Sequence, residues 1–429
     1  MRKYAFLLTL IMAALLAFTA CGDNNESYDN SESNSEYTTY AEQPTPQEQS
    51  ISVNQSISVN VGYQTDNHLS GTITEANELA PEMMAEFSIP GMVVAIVDVN
   101  EGFTWVQGFG YADTTQGVAV DGDTVFAIAS VSKTFTAIAV MQLVEDGIID
   151  LDTPIVEYLP DFSILPSPTG GDYRNITTRM LLTHTSGIPT QVDLSEDILK
   201  YGYISLDEHN PEFMNTFLDI LSQYHLDNPE GEVYEYSNNG YVLLGVLVAA
   251  MTGNDNFFDD FVRYTNANIF NAIGMSRTSF VLDDNLSPFL AMPYIDTENL
   301  DEYIFVNGLP TGSMVSTAHD MARFMHILLD DSGDLLSPGA VYKMMQPHDF
   351  DFTDIGMEYG FGFLRLPMES GITIIGHNGQ WMHYQANMFF DVETGIGVFV
   401  ALNSLTGAQQ MIAQQVAVIL LETAVAETQ

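Results

Sequence analysis

Hydrophobic residues follow three different patterns along the chain. An apolar run occupies residues 4–20, a stretch rich in Ser, Asn, Glu, Gln and Thr follows to about residue 70, and the remainder shows the periodicities of folded elements. The polar stretch cannot bury enough apolar surface to offset the entropy that it would lose on ordering. We therefore predict a flexible acidic tether over residues 21–70 and a folded domain over residues 71–429.

The folded part has strand patterns near both of its ends and helical patterns between them. The predicted strands are residues 92–99, 103–111, 371–376, 384–391 and 397–402, and the predicted helices include 75–87 and 409–424. This order predicts an α/β (α+β) fold, an antiparallel sheet flanked by helices with an inserted, mainly helical subdomain. The α/β part would span about 71–135 and 330–429 and the insertion about 136–329, with the chemistry between them.

Acidic residues outnumber basic ones by a wide margin. The chain has 57 Asp and Glu against 11 Lys and Arg, a formal net charge of −46 at pH 7. Such a surface repels nucleic-acid phosphates and anionic lipid headgroups, so nucleic-acid binding is excluded. Because the acidic residues are spread along the chain, we interpret them as a solvated surface suited to high salt or low external pH.

The N-terminus has the features of an export signal. Arg2 and Lys3 precede the apolar run, and small residues lead to Cys21, the single cysteine of the chain, so no intramolecular disulfide is possible. The arrangement resembles a bacterial lipobox, which implies a signal peptide over residues 1–20 and lipid on the Cys21 thiol. The protein would then be extracytoplasmic and anchored to the cell membrane. An uncleaved anchor or a free cysteine is the alternative.

The sequence Ser130-Val131-Ser132-Lys133 places a hydroxyl and an amine three positions apart at the start of a predicted helix. This spacing puts Ser130 and Lys133 on one face, with Ser130 at the helix N-terminus, where unpaired N–H groups favour negative charge. Desolvation pushes an amine on an apolar helix toward its neutral form, which can take the serine proton. A capping serine beside a lysine that extends to solvent is the structural alternative.

Two further motifs supply groups for proton transfer and substrate binding. Tyr236-Ser237-Asn238 lies between a turn-rich segment and an apolar helix, and it offers a phenol that can relay protons and an amide that can orient a carbonyl. His377-Asn378-Gly379 follows the predicted strand that ends at Gly376. A glycine there lets a substrate approach the main chain and exposes an N–H to an oxyanion. A satisfied structural histidine is the alternative for His377.

In this order the three motifs resemble those of the serine β-lactamase-like family, the penicillin-recognising hydrolases with S-x-x-K, a Tyr or Ser motif and K-T-G. Flanking stretches, such as Leu181-Leu-Thr-His-Thr-Ser-Gly-Ile-Pro189, fit as well, and the resemblance extends from about Glu75 to the C-terminus. It is greatest to the class C-like branch, which includes esterases, D-amino-acid peptidases and amidases, and D-alanyl-D-alanine carboxypeptidases. It implies a β-lactamase/DD-peptidase-like fold.

The resemblance also implies a role for each motif residue. Ser130 would be the nucleophile that forms an acyl-enzyme, Lys133 its base, and Tyr236 a partner in proton transfer. The backbone N–H groups of Ser130 and Gln380 would form the oxyanion hole. The residues expected to bind substrate are Asn238, His377, Asn378, Gly379 and Gln380.

The chain departs from the family at the third motif, where His377-Asn378-Gly379 stands in place of K-T-G. In β-lactamases a fixed cation and a hydroxyl there hold the substrate carboxylate, whereas histidine is mostly neutral near pH 7 unless perturbed. We therefore expect little cephalosporin turnover and better activity on neutral esters or on D-peptides whose carboxylate reaches a local cation. If acidic neighbours raise the pKa of His377, that residue would be the cation, and activity on carboxylate substrates would fall as pH rises through neutrality.

The sequence therefore predicts an exported, monomeric serine hydrolase that cleaves an ester or a D-amino-acid-containing peptide or amide without a cofactor. Nine scattered histidines without a cysteine cluster argue against a metal site, and the absence of G-x-S-x-G argues against an α/β-hydrolase. Two alternatives stay open: a true class C-like β-lactamase, and a non-catalytic cell-wall sensor or binding module on the same fold. The second would predict the loss of Ser130, Lys133 or Tyr236, all of which are present.

Overall fold

The computed structural model describes residues 68–190, 213–253, 257–295, 298–299, 310–348, 356–381, 383–404 and 411–429. The predicted signal peptide, Cys21 and nearly all of the predicted tether lie outside these residues. Among the described helices, none is long and apolar enough to cross a membrane.

The described chain begins with helix α1 (Ser70–Phe87), which starts a few residues before the periodicity at residue 75 indicated. Its buried positions recur every three or four residues, as expected for a helix with one face on a core. The side chain of Glu427, near the C-terminus, accepts hydrogen bonds of 2.7 Å from the N–H groups of Gly71 and Thr72. A carboxylate at a helix N-terminus is stabilised by the unpaired N–H groups there, so the two ends of the domain are tied together.

Strands come from both ends of the chain. They are β1 (Gly91–Asp98), β2 (Phe103–Asp113), β3 (Val118–Ala119), β4 (Phe126–Ala127), β5 (Tyr294–Ile295), β6 (Glu298–Asn299), β7 (Val315–Ser316), β8 (Glu358–Tyr359), β9 (Leu364–Pro367), β10 (Thr373–Trp381), β11 (Tyr384–Asp391) and β12 (Ile396–Leu402). Eight of these form one antiparallel sheet in the order β3-β2-β1-β12-β11-β10-β9-β8. The N-terminal hairpin joins the C-terminal strands where β1 pairs with β12, from Met92 opposite Leu402 to Asp98 opposite Ile396.

Most helices lie between β4 and β8 in the sequence. They are α2 (Ser132–Glu145), α3 (Thr178–Leu182), α4 (Phe213–Leu221), α5 (Asn238–Thr252), α6 (Phe257–Thr265), α7 (Asn271–Ile273), α8 (Ala318–Asp330) and α9 (Ala340–Met344), and α10 (Ile412–Thr428) ends the chain. Both α2 and α5 are buried on nearly all sides, which is why their sequences are apolar all round.

Helices cover both faces of the sheet. Alternate side chains of β1, such as Val93 and Ala95, belong to the core that also contains Phe135 of α2 and Phe324 of α8, whose rings stack 4.0 Å apart. Helices α1 and α10 pack together on the sheet's other face. Because it is covered on both sides, β1 is buried along its whole length, which explains its continuous apolar run.

The predicted fold class, an antiparallel sheet flanked by helices with a mainly helical insertion, is confirmed. Besides the start of α1, two predicted boundaries that bear on the site or on the C-terminus are wrong. The strand predicted to end at Gly376 continues to Trp381, so the third motif lies inside β10 rather than after it. The closing helix, predicted to begin at Gln409, begins at Ile412 in the described chain.

Candidate active site

Ser130 lies in a single 3₁₀ turn, Ala129–Val131, that leads directly into α2. The residue before it, Ala129, has a φ of +48°, in the left-handed region that non-glycine residues rarely adopt. Such strain costs about 1–3 kcal/mol and persists only where the surroundings enforce it. Here the Ser132 hydroxyl donates to the Ala129 carbonyl at 2.6 Å, and the Ile128 N–H donates to the Met314 carbonyl at 3.0 Å. The turn thus presents a partly exposed Ser130 side chain at the N-terminus of a buried helix.

Lys133 is completely buried one turn further along α2. Its Nζ lies 3.1 Å from Ser130 Oγ, 2.8 Å from Asn238 Oδ1 and 2.8 Å from the Thr311 carbonyl oxygen. Burial lowers the pKa of Lys133 well below its usual range, because the ammonium form loses its hydration. A neutral amine has two N–H bonds, which match the two carbonyl oxygens of Asn238 and Thr311, and one lone pair, which then faces Ser130. The geometry suits removal of the serine proton.

Asn238, the first residue of α5, is oriented by two donors. Its Oδ1 accepts from Lys133 Nζ and also from the Thr311 hydroxyl, each at 2.8 Å. With Oδ1 occupied, the amide Nδ2 remains as a donor, which suits a substrate carbonyl. The segment that contains Thr311 is held against α2 because the Thr136 hydroxyl donates to the Pro310 carbonyl at 2.6 Å.

Tyr236 precedes Ser237, the N-cap of α5, whose hydroxyl accepts from the Gly240 N–H at 2.9 Å. The Tyr236 hydroxyl is hydrogen-bonded to Ser130, and its ring centroid lies 4.8 Å from Lys133 Nζ. Burial raises the pKa of the phenol, although its hydrogen bond with Ser130 opposes the shift. Tyr236 is therefore a protonated phenol at neutral pH, in contact with both other members of the predicted catalytic group.

Strand β10 passes directly against the turn that holds Ser130. A Cβ on Gly379 would lie 2.3 Å from the Ile128 carbonyl oxygen and 2.9 Å from the Ser130 nitrogen, closer than real Cβ atoms approach. Strand β9 pairs with β10 only as far as Gly376, so the main chain around Gln380 has no neighbouring described strand on that side. Gly379 thus brings the main chain that leads to Gln380 close to Ser130. The oxyanion hole formed by the N–H groups of Ser130 and Gln380 stays a prediction.

A comparison with known families shows which family this chain resembles: the β-lactamase family model matches residues 76–421. The chain belongs to the β-lactamase family. It is 27% identical over 301 residues to penicillin-binding protein 4* of Bacillus subtilis (strain 168), covering 66% of this chain and 61% of that protein. It is also 27% identical over 339 residues to β-lactamase-like protein 2 of Dictyostelium discoideum, covering 76% and 58%. The matches thus span about three fifths of the length of these curated relatives.

Solved structures of family members share the fold. The octameric penicillin-binding protein homologue from Pyrococcus abyssi superposes with a TM-score of 0.66 at 26% identity, covering 82% of this chain and 77% of that one. D-amino acid amidase from Ochrobactrum anthropi SV3 gives a TM-score of 0.64 at 26% identity, covering 80% and 99%.

Unlike the K-T-G lysine of the family, His377 is not a cation. The ring is fully buried, Nε2 lies 3.0 Å from the Tyr359 hydroxyl, and Nδ1 lies 2.6 Å from the Asn378 carbonyl oxygen. A neutral imidazole satisfies both contacts, since Nδ1–H donates to the carbonyl and Nε2 accepts from the phenol. Burial, and then the nearby Lys133, lower the pKa of His377 to about 3. The condition under which His377 would hold a carboxylate, acidic neighbours that raise its pKa, is therefore not met.

The prediction that the Asn378 side chain binds substrate is also wrong. Side chains alternate along a strand, so Asn378 points to the face opposite that of His377 and Gly379. Its Nδ2 donates to Oε1 of Gln414, on α10, at 3.3 Å. The sequence interpretation failed because it placed the motif in a loop after the strand, where the alternation does not apply.

Two residues near the site were not among the predicted functional residues. Thr311 contacts Lys133 through its carbonyl oxygen, and any residue type supplies a carbonyl, so the sequence holds no signal for that contact. His184 lies within Leu181–Pro189, a stretch that fits the family but in which no functional residue was predicted. The centroid of its ring lies 4.4 Å from that of the Tyr236 ring. That stretch was the signal that could have identified it.

Proposed function

We propose that this protein is an exported, lipid-anchored serine hydrolase that cleaves an ester or a D-amino-acid-containing peptide or amide through an acyl-enzyme on Ser130. The proposal rests above all on Lys133, a buried amine with two hydrogen-bond acceptors and with Nζ 3.1 Å from Ser130 Oγ. Burial of an amine is unfavourable for stability, and the arrangement has a use as a base for Ser130.

Acylation begins when Ser130 Oγ attacks the substrate carbonyl carbon and its proton passes to Lys133 Nζ. The carbonyl oxygen becomes an oxyanion that accepts hydrogen bonds from the N–H groups of Ser130 and Gln380. The bond to the leaving group then breaks, and the alcohol or amine departs with the proton, relayed from Lys133 through the Tyr236 hydroxyl. Asn238 Nδ2 donates to a carbonyl of the substrate and fixes its orientation.

Deacylation reverses these roles. A water molecule gives one proton to the Tyr236–Lys133 pair while its oxygen attacks the acyl carbon, and the proton returns to Ser130 Oγ as the acid leaves. All groups needed for this cycle lie within the described part of the chain.

The substrate class is inferred from what surrounds the nucleophile. Neutral His377 offers no positive charge to a carboxylate, and the chain's net charge of −46 repels anions except where salt screens it. Neutral esters and amides are therefore favoured over anionic β-lactams. The fold shared with a D-amino acid amidase supports D-amino-acid amides in particular.

Labelling with a fluorophosphonate, followed by turnover of a p-nitrophenyl ester, a D-amino acid amide and a chromogenic cephalosporin, tests the proposal. We expect labelling at Ser130, turnover of the ester and the amide, and little turnover of the cephalosporin. Ser130→Ala should abolish labelling and turnover while the melting temperature stays close to that of the wild type. Efficient cephalosporin hydrolysis would instead identify a β-lactamase, and a wild type that does not react with any of these reagents would favour the non-catalytic sensor.

Membrane anchoring through Cys21 and a monomeric state remain predictions of the sequence. Cys21→Ala should release the protein from the membrane fraction and leave its activity intact, whereas unmodified Cys21 in membrane-bound protein would contradict lipidation. Light scattering on the purified protein tests the monomer, and the octamer of the Pyrococcus abyssi homologue is the alternative to look for.

A further inference from the structure

His184 is a buried histidine outside the predicted catalytic group, in the loop that follows α3. Only 1% of its surface is exposed, and its φ of +57° lies in the left-handed region. Among the described non-glycine residues, three others have such a φ, and one of them is Ala129 beside the nucleophile. Backbone strain in a buried residue implies that the surroundings require this conformation.

The conformation lets His184 hold the chain on both sides of Tyr236. Its carbonyl oxygen accepts from the N–H of Glu235 at 2.8 Å, and its ring Nδ1 accepts from the N–H of Ser237 at 3.0 Å. One residue therefore restrains the main chain of both neighbours of Tyr236, Glu235 and Ser237.

The His184 ring also packs on the phenol itself. Its centroid lies 4.4 Å from that of Tyr236 and 4.9 Å from that of Tyr241, with interplanar angles of 39° and 36°. Burial is the main cause that lowers the pKa of His184 well below its usual range, so the ring is neutral. Because Nδ1 is the acceptor, Nε2 bears the hydrogen. Nε2 has no hydrogen-bond partner in the described chain, and the ring lies among tyrosine rings.

We propose that His184 is a positioning residue that holds the Tyr236 hydroxyl against Ser130 by accepting hydrogen bonds from the two flanking N–H groups. The inference rests on the proposed function, in which that hydroxyl relays a proton to the leaving group. A proton relay depends on distances within hydrogen-bond reach, and a displacement of about 1 Å at a catalytic group lowers rates about 100-fold. The ring acceptor is therefore expected to matter for turnover and much less for substrate binding.

Three substitutions separate the acceptor from the packing. His184→Asn places Oδ1 where Nδ1 lies and tolerates the left-handed backbone, whereas His184→Leu has nearly the same branched shape as Asn but no acceptor. His184→Phe keeps an aromatic ring and also lacks the acceptor. Each variant would be assayed for kcat and KM with a p-nitrophenyl ester, for its melting temperature, and by crystallography for the distance between the Tyr236 hydroxyl and Ser130 Oγ.

We expect His184→Asn to retain most of the turnover, and His184→Leu and His184→Phe to lose about 10-fold to 100-fold in kcat with little change in KM. The Tyr236 hydroxyl should move away from Ser130 in the Leu and Phe variants and stay in the Asn variant. If Phe prevents folding, the comparison of Leu with Asn decides. Equal kcat in the Leu and Asn variants, with Tyr236 unmoved, would overturn this inference and leave the proposed function standing. A wild-type protein without esterase, amidase or fluorophosphonate reactivity would overturn both.

Discussion

Two regions of the molecule meet at Ser130, and they approach it in different ways. On the helical side, α2, α5 and the segment at Thr311 present side chains that are hydrogen-bonded to one another around Lys133. On the strand side, β10 presents main chain, with Gly379 packed against the Ser130 nitrogen. The two side chains that precede Gly379 in β10 are bound elsewhere, His377 to Tyr359 and Asn378 to Gln414. The helical side thus depends on functional groups and the strand side on shape.

This difference explains how the third motif can depart from K-T-G. A strand that contributes N–H groups and space keeps both when the residues at the lysine and threonine positions change, provided that the glycine remains. What is lost is the cation for a substrate carboxylate. In the proposed function, the motif keeps the main-chain groups used for acyl transfer and lacks a cation that would favour anionic β-lactams.

The largest expected effect lies on the helical side. Lys133→Met should lower kcat/KM for ester hydrolysis about a thousandfold or more, because the Tyr236 phenol, which also contacts Ser130, already carries its proton and cannot replace the amine as a base. Lys133→Arg is the matched control, since arginine keeps a positive charge but cannot deprotonate in a protein. Steady-state kinetics and mass spectrometry of the acyl-enzyme measure both variants. Activity retained in the Arg variant would show that Lys133 acts by its charge and would contradict its role as a base.

On the strand side, Gly379→Ala should also lower activity, but through shape. The added methyl group would collide with main-chain atoms of Ile128 and Ser130, so the turn or the strand must shift. A shift of this kind lowers rates about 100-fold, and overpacking costs about 1–3 kcal/mol of folding free energy.

Gly312→Ala provides the control, because among the described residues its Cβ would meet nothing closer than the Ala129 carbonyl carbon at 3.9 Å. Ester kinetics and thermal unfolding should show a much smaller effect for this variant. Equal effects of Gly379→Ala and Gly312→Ala on kinetics and melting temperature would mean that the close packing of Gly379 is not the cause of the lost activity.

The two regions also differ in how far the sequence predicted them. Ser130, Lys133 and Tyr236 were identified from residue type, spacing and context, and the structure brings them together. For Ser130 and Lys133 the reason is that residues three apart share one face of a helix. The strand side was predicted less well. Whether Asn378 faces Ser130 depends on strand register, and a prediction that ended the strand at Gly376 could not determine it. The state of His377 depends on burial and on a phenol, Tyr359, that is distant in sequence.

A moderate effect is expected where a side chain orients another one. Thr311→Val removes the hydroxyl that donates to Asn238 Oδ1 but keeps the carbonyl that accepts from Lys133. Loss of one such hydrogen bond, worth about 0.5–1.5 kcal/mol, should lower kcat about 2-fold to 10-fold. Thr311→Ser keeps the hydroxyl, so its kcat should stay close to that of the wild type. If valine and serine give the same kinetics, then Lys133 alone orients the amide of Asn238.

The smallest expected effect concerns pH and substrate charge, and it tests the strand side directly. A pKa of about 3 keeps His377 neutral throughout the range from pH ~5 to ~8. The ratio of kcat/KM for a D-alanyl-D-alanine peptide to that for its C-terminal amide should therefore change less than about twofold over this range. Ionisation of Lys133 affects acylation by both substrates and cancels in the ratio.

If His377 were instead a cation that binds the carboxylate, the ratio of the two kcat/KM values would depend on pH, and His377→Gln provides the control. A histidine that bound the carboxylate would be charged below its pKa, so the ratio would be high in acid and would fall as the pH rose through that pKa. If the ratio falls in the wild type and the fall disappears in His377→Gln, then His377 is a cation and the strand side does select by charge. A fall that persists in the Gln variant would come from another group, and the neutral state of His377 would stand. Measurements at constant ionic strength are essential, because a chain with a net charge of −46 repels the carboxylate substrate to an extent that depends on salt.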